Sequence, residues 1–129
     1  MKKFYIASSF KNADTVKLVS QRLIDNGYIH TYDWTQNERA STMQDLKEIG
    51  QKEINGIMDA DFILVLLPAG KGSHIEFGIA LGQVKKIYLY SPDNGLNNLE
   101  TTSTFYHLPQ VNRCVGSVER LVEMVLHNK

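Results

Sequence analysis

The chain is poor in cysteine, in net charge and in long apolar runs, and each shortage excludes a class of protein. Its single cysteine, Cys114, cannot form an internal disulfide or a cysteine-rich metal site, which favours a reducing, cytoplasmic setting. The 14 basic and 14 acidic residues cancel, so no overall positive field attracts a nucleic acid polymer or an anionic membrane. We therefore expect a small-molecule partner.

The sequence also contains no pattern that indicates membrane insertion, secretion or metal binding. No apolar run approaches the ~18 residues that a membrane span needs. The segment from Phe4 to Phe10, after Met1-Lys2-Lys3, is too short and too polar to be the core of a signal peptide. The four histidines are scattered without a close pair, so we expect no metal site and no cofactor.

The length predicts one domain over residues 1–129, large enough to bury a core without disulfides or metal. Hydrophobic residues make up 43% of the chain and charged residues 22%, which is typical of a soluble globular protein. There are no internal repeats and no low-complexity tract, so the domain is expected to be built from ordinary secondary structure.

The stretch from Phe62 to Gly82 is the centre of the predicted fold. Six consecutive apolar residues, Phe62 to Leu67, predict a strand covered on both faces, as in a parallel sheet between helices. Pro68 ends the strand and a Gly-rich turn follows it. Ser73-His74-Ile75-Glu76 then has the S-x-x-E form of a helix start.

Strand and helix patterns alternate along the whole chain. This order predicts an α/β three-layer sandwich: a flavodoxin-like, Rossmann-like five-stranded parallel sheet, in strand order 2-1-3-4-5, with helices on both faces. In that order the first and third strands are neighbours, and their carboxyl ends form the crevice where open α/β sheets bind ligands. The predicted strands are residues 4–7, 29–32, 62–67, 87–90 and 109–115.

Two carboxylates are candidates for chemistry in this crevice. Glu76 is either the capping partner of Ser73, worth about 1 kcal/mol to the helix end, or a nucleophile or base at the crevice floor. Glu53 lies on a predicted helix over 43–59, four residues from both Ile49 and Ile57. Burying a carboxylate is costly unless it is paired or protonated, which points to function, although a kink at a nearby glycine would turn Glu53 to solvent. The stripe that would bury Glu53 consists of Leu46, Ile49, Ile54, Ile57 and Met58.

Three segments together resemble a known family. They are Phe4-Tyr5-Ile6-Ala7-Ser8, then Glu53-Ile54-Asn55-Gly56-Ile57 with Ala60-Asp61, then Gly72-Ser73-His74-Ile75-Glu76-Phe77-Gly78 with Ala80-Leu81-Gly82. This pattern, over about residues 4–91, resembles the nucleoside 2-deoxyribosyltransferases and their relatives, the 2′-deoxynucleoside 5′-phosphate N-hydrolases. The resemblance implies cleavage of an N-glycosidic bond.

The resemblance also implies roles for particular residues. Glu76 would be the nucleophile, Tyr5 would hold it, and Glu53 would assist the leaving base, where an aspartate is more usual. Gly70 stands where the family often has an acidic residue or serine, which leaves recognition of the 2′-deoxysugar or a 5′-phosphate open. At least a homodimer is implied, with Phe105 and Tyr106 as candidate interface residues, although the carboxy-terminal residues that transferases use on a neighbour's substrate are not recognisable.

The chemistry of glycosidic cleavage fits two carboxyl groups in different protonation states. Positive charge develops at the sugar C1′ and negative charge on the departing base, so an anionic carboxylate and a protonated carboxyl meet both demands. We expect the apolar stripe to raise the pKa of Glu53, which would hold the proton. A helix amino terminus would stabilise Glu76 as the anion.

Further residues are predicted to bind substrate. Trp34 either stacks on a base or belongs to the core, and Lys71 either binds a phosphate with the neighbouring amides or is a solvated loop lysine. His74 is either a surface histidine or a proton carrier. The predicted substrate-binding set is Ser8, Ser9, Phe10, Trp34, Gly70, Lys71, Gly72 and Ser73.

Three functions remain open on the sequence. The first is an enzyme that cleaves a nucleoside or nucleotide and transfers the sugar to another base or to water, with base exchange ahead of hydrolysis. The second is an NAD-cleaving domain, because Tyr5 to Phe10 and Tyr32-Asp33-Trp34-Thr35 also look like the TIR family. The third is a non-catalytic module that binds a nucleotide or an ADP-ribose signal.

Overall fold

A computed structural model describes residues 2–128 of the chain as one parallel sheet covered by helices. The sheet has the strand order β2-β1-β3-β4-β5, as predicted. The strands are β1 (Lys3–Ala7), β2 (Ile29–His30), β3 (Phe62–Leu66), β4 (Lys86–Ser91) and β5 (Val111–Val115), and the helices are α1 (Ala13–Asp25), α2 (Met43–Asp59), α3 (Lys71–Gly82) and α4 (Val118–His127).

The helices cover the two faces of the sheet in pairs. Contacts join α1 to α4 and α2 to α3. Right-handed crossovers place a helix on one face when the chain steps towards β2 and on the other face when it steps towards β5. The predicted three-layer α/β sandwich is therefore confirmed.

Strand β3 lies at the centre of the sheet and is buried along its whole length. It pairs with β1 through Tyr5 and Ile63, and with β4 through Ile63 and Ile87. A strand with neighbours on both edges and helices on both faces has no contact with water, which explains its unbroken apolar sequence. The β3 to α3 turn is consequently held on a rigid support.

Helix α3 begins three residues earlier than its S-x-x-E pattern predicts. Gly70 is the residue before the helix, and its N–H donates to the Ser73 hydroxyl at 2.6 Å. The same hydroxyl donates to the Gly70 carbonyl at 3.1 Å, so Ser73 closes the helix start without Glu76. The capping-partner interpretation of Glu76 is wrong, and Glu76 lies in the second turn of α3.

The predicted buried stripe of α2 is only partly buried. Ile57 is buried, but Leu46, Ile54 and Met58 are 56%, 38% and 47% exposed. The face of α2 that meets the sheet instead centres on Gly56 and Ile57, with Glu53 at its border. An apolar row of α2 is therefore left uncovered in the single chain.

The long segment between β4 and β5 folds back over the carboxyl edge of the sheet. Its Tyr106 is buried and lines a cavity of about 400 Å³ with residues such as Asp93 and Thr102. Tyr106 is therefore not free to serve as an interface residue, whereas Phe105 is exposed. No helix in residues 2–128 combines the length and the apolar composition needed to cross a membrane.

Val84→Gly is expected to stabilise the fold by about 1 kcal/mol. Val84 follows α3 with φ of 55°, a left-handed conformation that a β-branched residue adopts only with strain, and its side chain is 81% exposed. Urea unfolding of Val84→Gly beside Val84→Ala measures the effect. Because alanine keeps its Cβ, it should recover only part of the gain, and equal stability of all three proteins would contradict the prediction.

Candidate active site

A crevice opens at the carboxyl ends of β1 and β3, where the strand order reverses direction. Its volume is about 280 Å³, close to the lower end of the roughly 300–1,000 Å³ that is usual for small-molecule sites. The lining residues come from the β1 to α1 turn, the segment after β2, helix α2 and the β3 to α3 turn. They are Ser8, Ser9, Phe10, Trp34, Glu53, Gly70, Gly72, Ser73 and Glu76.

Glu76 is the most buried carboxyl group of the crevice. Tyr5, on β1, donates a hydrogen bond from its phenol to Glu76 Oε2. Burial and the nearby Glu76 charge raise the pKa of Tyr5, so the phenol keeps its proton and remains a donor. The sequence placed Tyr5 and Glu76 71 residues apart, and the β1–β3 pairing brings them together.

Glu53 reaches the same place from α2. It is half-buried, it lines the same crevice as Glu76, and each of the two carboxyl groups affects the pKa of the other. Burial raises the pKa of Glu53. Two interacting carboxyl groups titrate as a pair, and a single proton held by the pair removes the repulsion between them.

The direction of the Glu76 pKa shift differs from the prediction. Burial, with a smaller contribution from the charge of Glu53, raises the pKa of Glu76 to about 8, although the Tyr5 hydrogen bond opposes this rise. The helix-terminus effect that was expected to favour the Glu76 anion fades beyond the first turn, and Glu76 lies in the second. The pKa values of both carboxyl groups are therefore raised, and the predicted stabilisation of the Glu76 anion by the helix terminus is not found.

Gly56 lets α2 approach β1 closely enough to form this pair. A Cβ at position 56 would lie 2.9 Å from Tyr32 Cβ and 3.0 Å from Tyr5 Cδ1. The Gly56 carbonyl also accepts a hydrogen bond from the Thr31 hydroxyl at 2.7 Å, which ties α2 to the chain after β2. Sequence reasoning assigned Gly56 no such role, because a close approach between distant segments has no local signal.

Gly56→Ala is therefore expected to destabilise the protein by about 1–3 kcal/mol, against the usual preference of a helix for alanine. The added methyl group would displace the Tyr5 ring and with it the donor to Glu76. Thermal or urea unfolding measures the loss, with Asn55→Ala on the exposed side of the same helix as the control. A gain in stability for Gly56→Ala would show that the helix is free to move away from β1.

The crevice contains two aromatic rings, of which one is buried and hydrogen-bonded and the other is exposed. Trp34 is buried, and its indole N–H donates to the Ile6 carbonyl at 2.7 Å. Phe10 is 64% exposed, with its ring centroid 5.9 Å from that of Trp34. Trp34 therefore belongs largely to the core, and Phe10 presents the open aromatic surface on which a base can stack.

The polar residues that line the crevice differ in whether their side chains already form hydrogen bonds within the protein. The Ser8 hydroxyl donates to the Leu66 carbonyl at 2.7 Å and accepts from the Asn12 amide at 3.0 Å. Its first role is thus to join β1 to β3, and Asn12 supports it instead of capping α1. Gly70, Gly72 and Ser73 line the crevice, but Lys71 is exposed and is not among the lining residues.

His74 is more than a surface histidine, although it points away from the crevice. One of its ring nitrogens lies 2.8 Å from the Gly70 carbonyl and the other lies 2.6 Å from the Tyr106 hydroxyl. These bonds connect the β3 to α3 turn to the segment after β4. The role of His74 in the fold is therefore to fix the turn that carries Gly70 and Ser73.

The fold and the crevice define an α/β protein with a ligand site at the switch point of a parallel sheet, and with two carboxyl groups and a tyrosine at its floor. The sequence model of the family described as nucleoside 2-deoxyribosyltransferase matches residues 4–119. The chain belongs to this family, whose members act on nucleosides or nucleotides. A search of curated protein sequences gives no match.

Solved structures share the architecture at low sequence identity. The structure of Clostridium botulinum CMP N-glycosidase, BcmB, superposes with a TM-score of 0.62 at 17% identity, covering 96% of this chain and 98% of that one. A conserved protein from Enterococcus faecalis V583 gives a TM-score of 0.67 at 19% identity, covering 100% and 99% of the two chains. At these identities the likeness shows the fold.

Proposed function

We propose that this protein cleaves the N-glycosidic bond of a nucleoside or nucleotide through Glu76, and passes the sugar to another base or to water. The observation that carries the proposal is the floor of the crevice, where Tyr5 donates to the buried Glu76 and Glu53 lies beside it. Membership of the nucleoside 2-deoxyribosyltransferase family supports the reaction class.

The reaction divides into two displacements at C1′. In the first, an oxygen of the Glu76 carboxylate bonds to C1′ while the bond from C1′ to the base nitrogen breaks. The bonding electrons leave with the base, which takes the proton from Glu53. In the second, an incoming base or water attacks C1′, the bond to Glu76 breaks, and Glu53 accepts the proton of the attacking group.

The productive arrangement has Glu76 ionised and the single proton of the pair on Glu53. Both carboxyl groups line the same crevice and each affects the pKa of the other, which allows the pair to hold one proton in common. Tyr5 favours the productive arrangement, because its phenol donates to the Glu76 anion. The form with one proton on the pair is the active one, which predicts a bell-shaped dependence of kcat/KM on pH.

Tyr5→Phe tests this assignment. Loss of the hydrogen bond removes the one contact that lowers the pKa of Glu76, so that pKa rises further. We expect kcat to fall roughly 10- to 100-fold with little change in KM, since one hydrogen bond to a charged group contributes about 1.5–3 kcal/mol. The pH profile of kcat/KM is the diagnostic measurement, and an unshifted profile would remove Tyr5 from the mechanism.

The crevice supports an arrangement of the substrate as well. The base would stack on the open face of Phe10, and the sugar would lie over Glu76 beside Ser9. A 5′-phosphate, if the substrate has one, would meet the Gly70 to Ser73 turn, where backbone N–H groups at the start of α3 favour an anion. Because Lys71 is not among the lining residues, we propose no ion pair between it and a phosphate.

One incubation series separates the candidate functions. Deoxynucleosides, deoxynucleoside monophosphates, CMP and NAD are each supplied with and without a free acceptor base, and the released base is followed by chromatography. Release that depends on the acceptor identifies a transferase, and release without it identifies a hydrolase. Nicotinamide release would identify the NAD-cleaving alternative, and tight binding without products would identify a sensor.

The proposal extends to quaternary state and location. Family resemblance predicts at least a homodimer, and the single, buried Cys114 suits a cytoplasmic protein. Cell fractionation checks the location.

A further inference from the structure

A second cavity of the molecule has no part in the proposed mechanism. It lies at the carboxyl ends of β3 and β4, where Leu67 follows β3 and Ser91 ends β4. Its volume of about 400 Å³ exceeds that of the crevice and lies within the roughly 300–1,000 Å³ of small-molecule sites. We name it the Asp93 cavity, after the carboxylate that lines it.

Much of the wall of the Asp93 cavity is apolar and fixed in place. Leu67, Leu96 and Tyr106 line it, and the last two are buried. The Tyr106 ring packs against Phe77, with 5.8 Å between the ring centroids, and its hydroxyl lies 2.6 Å from His74 Nε2. An apolar wall that is already in position suits a flat, rigid organic ring, which loses little freedom when it binds there.

The polar side of the cavity accepts hydrogen bonds and carries negative charge. Oδ1 of Asp93 accepts the Gly95 N–H at 2.8 Å, which orients the carboxylate, and no donor within residues 2–128 bonds to Oδ2. In the same part of the chain, no lysine or arginine lines the cavity. A phosphate or carboxylate ligand would therefore meet a like charge without a compensating cation. A ligand with N–H donors would instead form a charge-assisted hydrogen bond.

We infer that the Asp93 cavity binds a free nucleobase with an exocyclic amino group, of the kind found in cytosine. Such a base is flat and uncharged, so its ring suits the apolar wall, and its amino group can donate to Oδ2 of Asp93. A carboxylate that accepts from the cytosine amino group is a usual pairing in base recognition. Uracil has the same shape, but it presents a carbonyl oxygen at that position, and two facing acceptors repel each other. The cavity should therefore discriminate between the two bases.

The Asp93 cavity and the crevice lie on the two sides of one turn. Ala69 lines the cavity, whereas Gly70 and Ser73 line the crevice, and His74 contacts both the Gly70 carbonyl and Tyr106. On the proposed function, on which this point rests, the reaction releases one free base, and a transferase takes up another. The cavity would then hold a molecule of the same chemical class as the product and the acceptor, next to the site of cleavage.

NMR signals of the full chain locate the binding without any activity measurement. Cytosine should shift the backbone amide signals of Gly95 and Thr102, which line the cavity. The dissociation constant measured from these signals should be at least ~10-fold lower for cytosine than for uracil. The indole signal of Trp34 reports separately on any base in the crevice. Because both bases are compared on the unchanged protein, this result does not depend on the folding of a variant.

Asp93→Asn tests whether the carboxylate selects the base. The amide oxygen can still accept the Gly95 N–H, so the turn should be retained. The variant should raise the dissociation constant for cytosine at least ~10-fold and reduce the preference over uracil, because an amide can donate to the uracil carbonyl. The control is Glu100→Gln, which removes a carboxylate from the same loop but outside the cavity lining and should leave both constants unchanged.

Three results would overturn the inference. They are the absence of cytosine shifts at Gly95 and Thr102, equal affinity of the cavity for the two bases, and an unchanged preference for cytosine in Asp93→Asn. Cytosine shifts confined to Trp34 and the crevice would agree with the proposed function while removing the second site. Failure of the proposed function would leave the binding result readable, because no turnover is measured.

Discussion

Glu76→Gln is expected to reduce cleavage of every substrate by about 10⁴-fold or more, because the amide cannot form the bond to C1′. The substitution keeps the size of the side chain and an acceptor for Tyr5, so the fold should be preserved. The measurement is base release under single-turnover conditions, with Glu123→Gln on the exposed side of α4 as the control. Turnover near the level of the unchanged protein would remove Glu76 from the mechanism.

Unfolding of the same variant provides an independent readout of the site. Burial raises the pKa of Glu76 to about 8, so from about pH 4.5 to 8 the unfolded chain loses this proton while the folded chain keeps it. The stability of the unchanged protein therefore falls with rising pH over this window. Glu76→Gln should match it near pH 4 and exceed it above pH 8, by an amount on the order of a few kcal/mol. An advantage independent of pH would mean that Glu76 is not buried as an acid.

Glu53→Gln is expected to have the second largest effect, with a loss of roughly 10² to 10⁴-fold that depends on the leaving base. An ordinary base departs with negative charge and needs the Glu53 proton. A base alkylated at N7, such as 7-methylguanine, departs neutral and needs no proton. The variant should therefore lose activity on 2′-deoxyguanosine and retain most of it on 7-methyl-2′-deoxyguanosine, whereas Glu76→Gln should lose both.

The pH profile adds a second signature for Glu53. Its charge contributes to the raised pKa of Glu76, so Glu53→Gln should lower that pKa and move the corresponding limb of the profile to lower pH. Glu48→Gln, which removes a carboxylate from the exposed side of α2, is the matched control. Equal losses on the two guanine nucleosides would show that Glu53 binds substrate rather than protonating the base.

Much of the architecture followed from local pattern. The unbroken apolar run at 62–67 required a central strand, and the α2 bounds of Met43–Asp59 agree with the prediction because Thr42 and Ala60 mark the ends by ordinary capping and extended backbone. The start of helix α3 was misplaced by three residues, since Ser73 can serve either as the residue before a helix or, as here, as its third residue. The two positions of Ser73 are distinguished by the extended backbone of Gly70, which marks Gly70 as the residue before the helix.

The sequence predicted which residues line the crevice. The catalytic and binding roles assigned to these residues remain predictions. Topology alone brings the ends of β1 and β3 together, so Ser8, Phe10 and the turn before Glu76 could be grouped from sequence. The exposure of Lys71 and the inward position of Tyr106 could not be predicted from sequence, because both depend on where a loop folds against the sheet. The predicted burial of Leu46 and Met58 was wrong for the single chain. An apolar helical pattern predicts which side of a helix avoids water, but it does not specify what packs against that side.

The amino-acid sequence by itself determined the order of strands and helices, and with it the edge of the sheet where a ligand can bind, because hydrophobic periodicity and turn residues act over short distances. Only the tertiary structure decided that Tyr5, Glu53 and Glu76 lie together, and that burial raises the pKa values of both carboxyl groups. The protonation state of a carboxyl group depends on its burial and on residues that are distant in the chain. Here these contacts form only when α2 packs against β1 at Gly56.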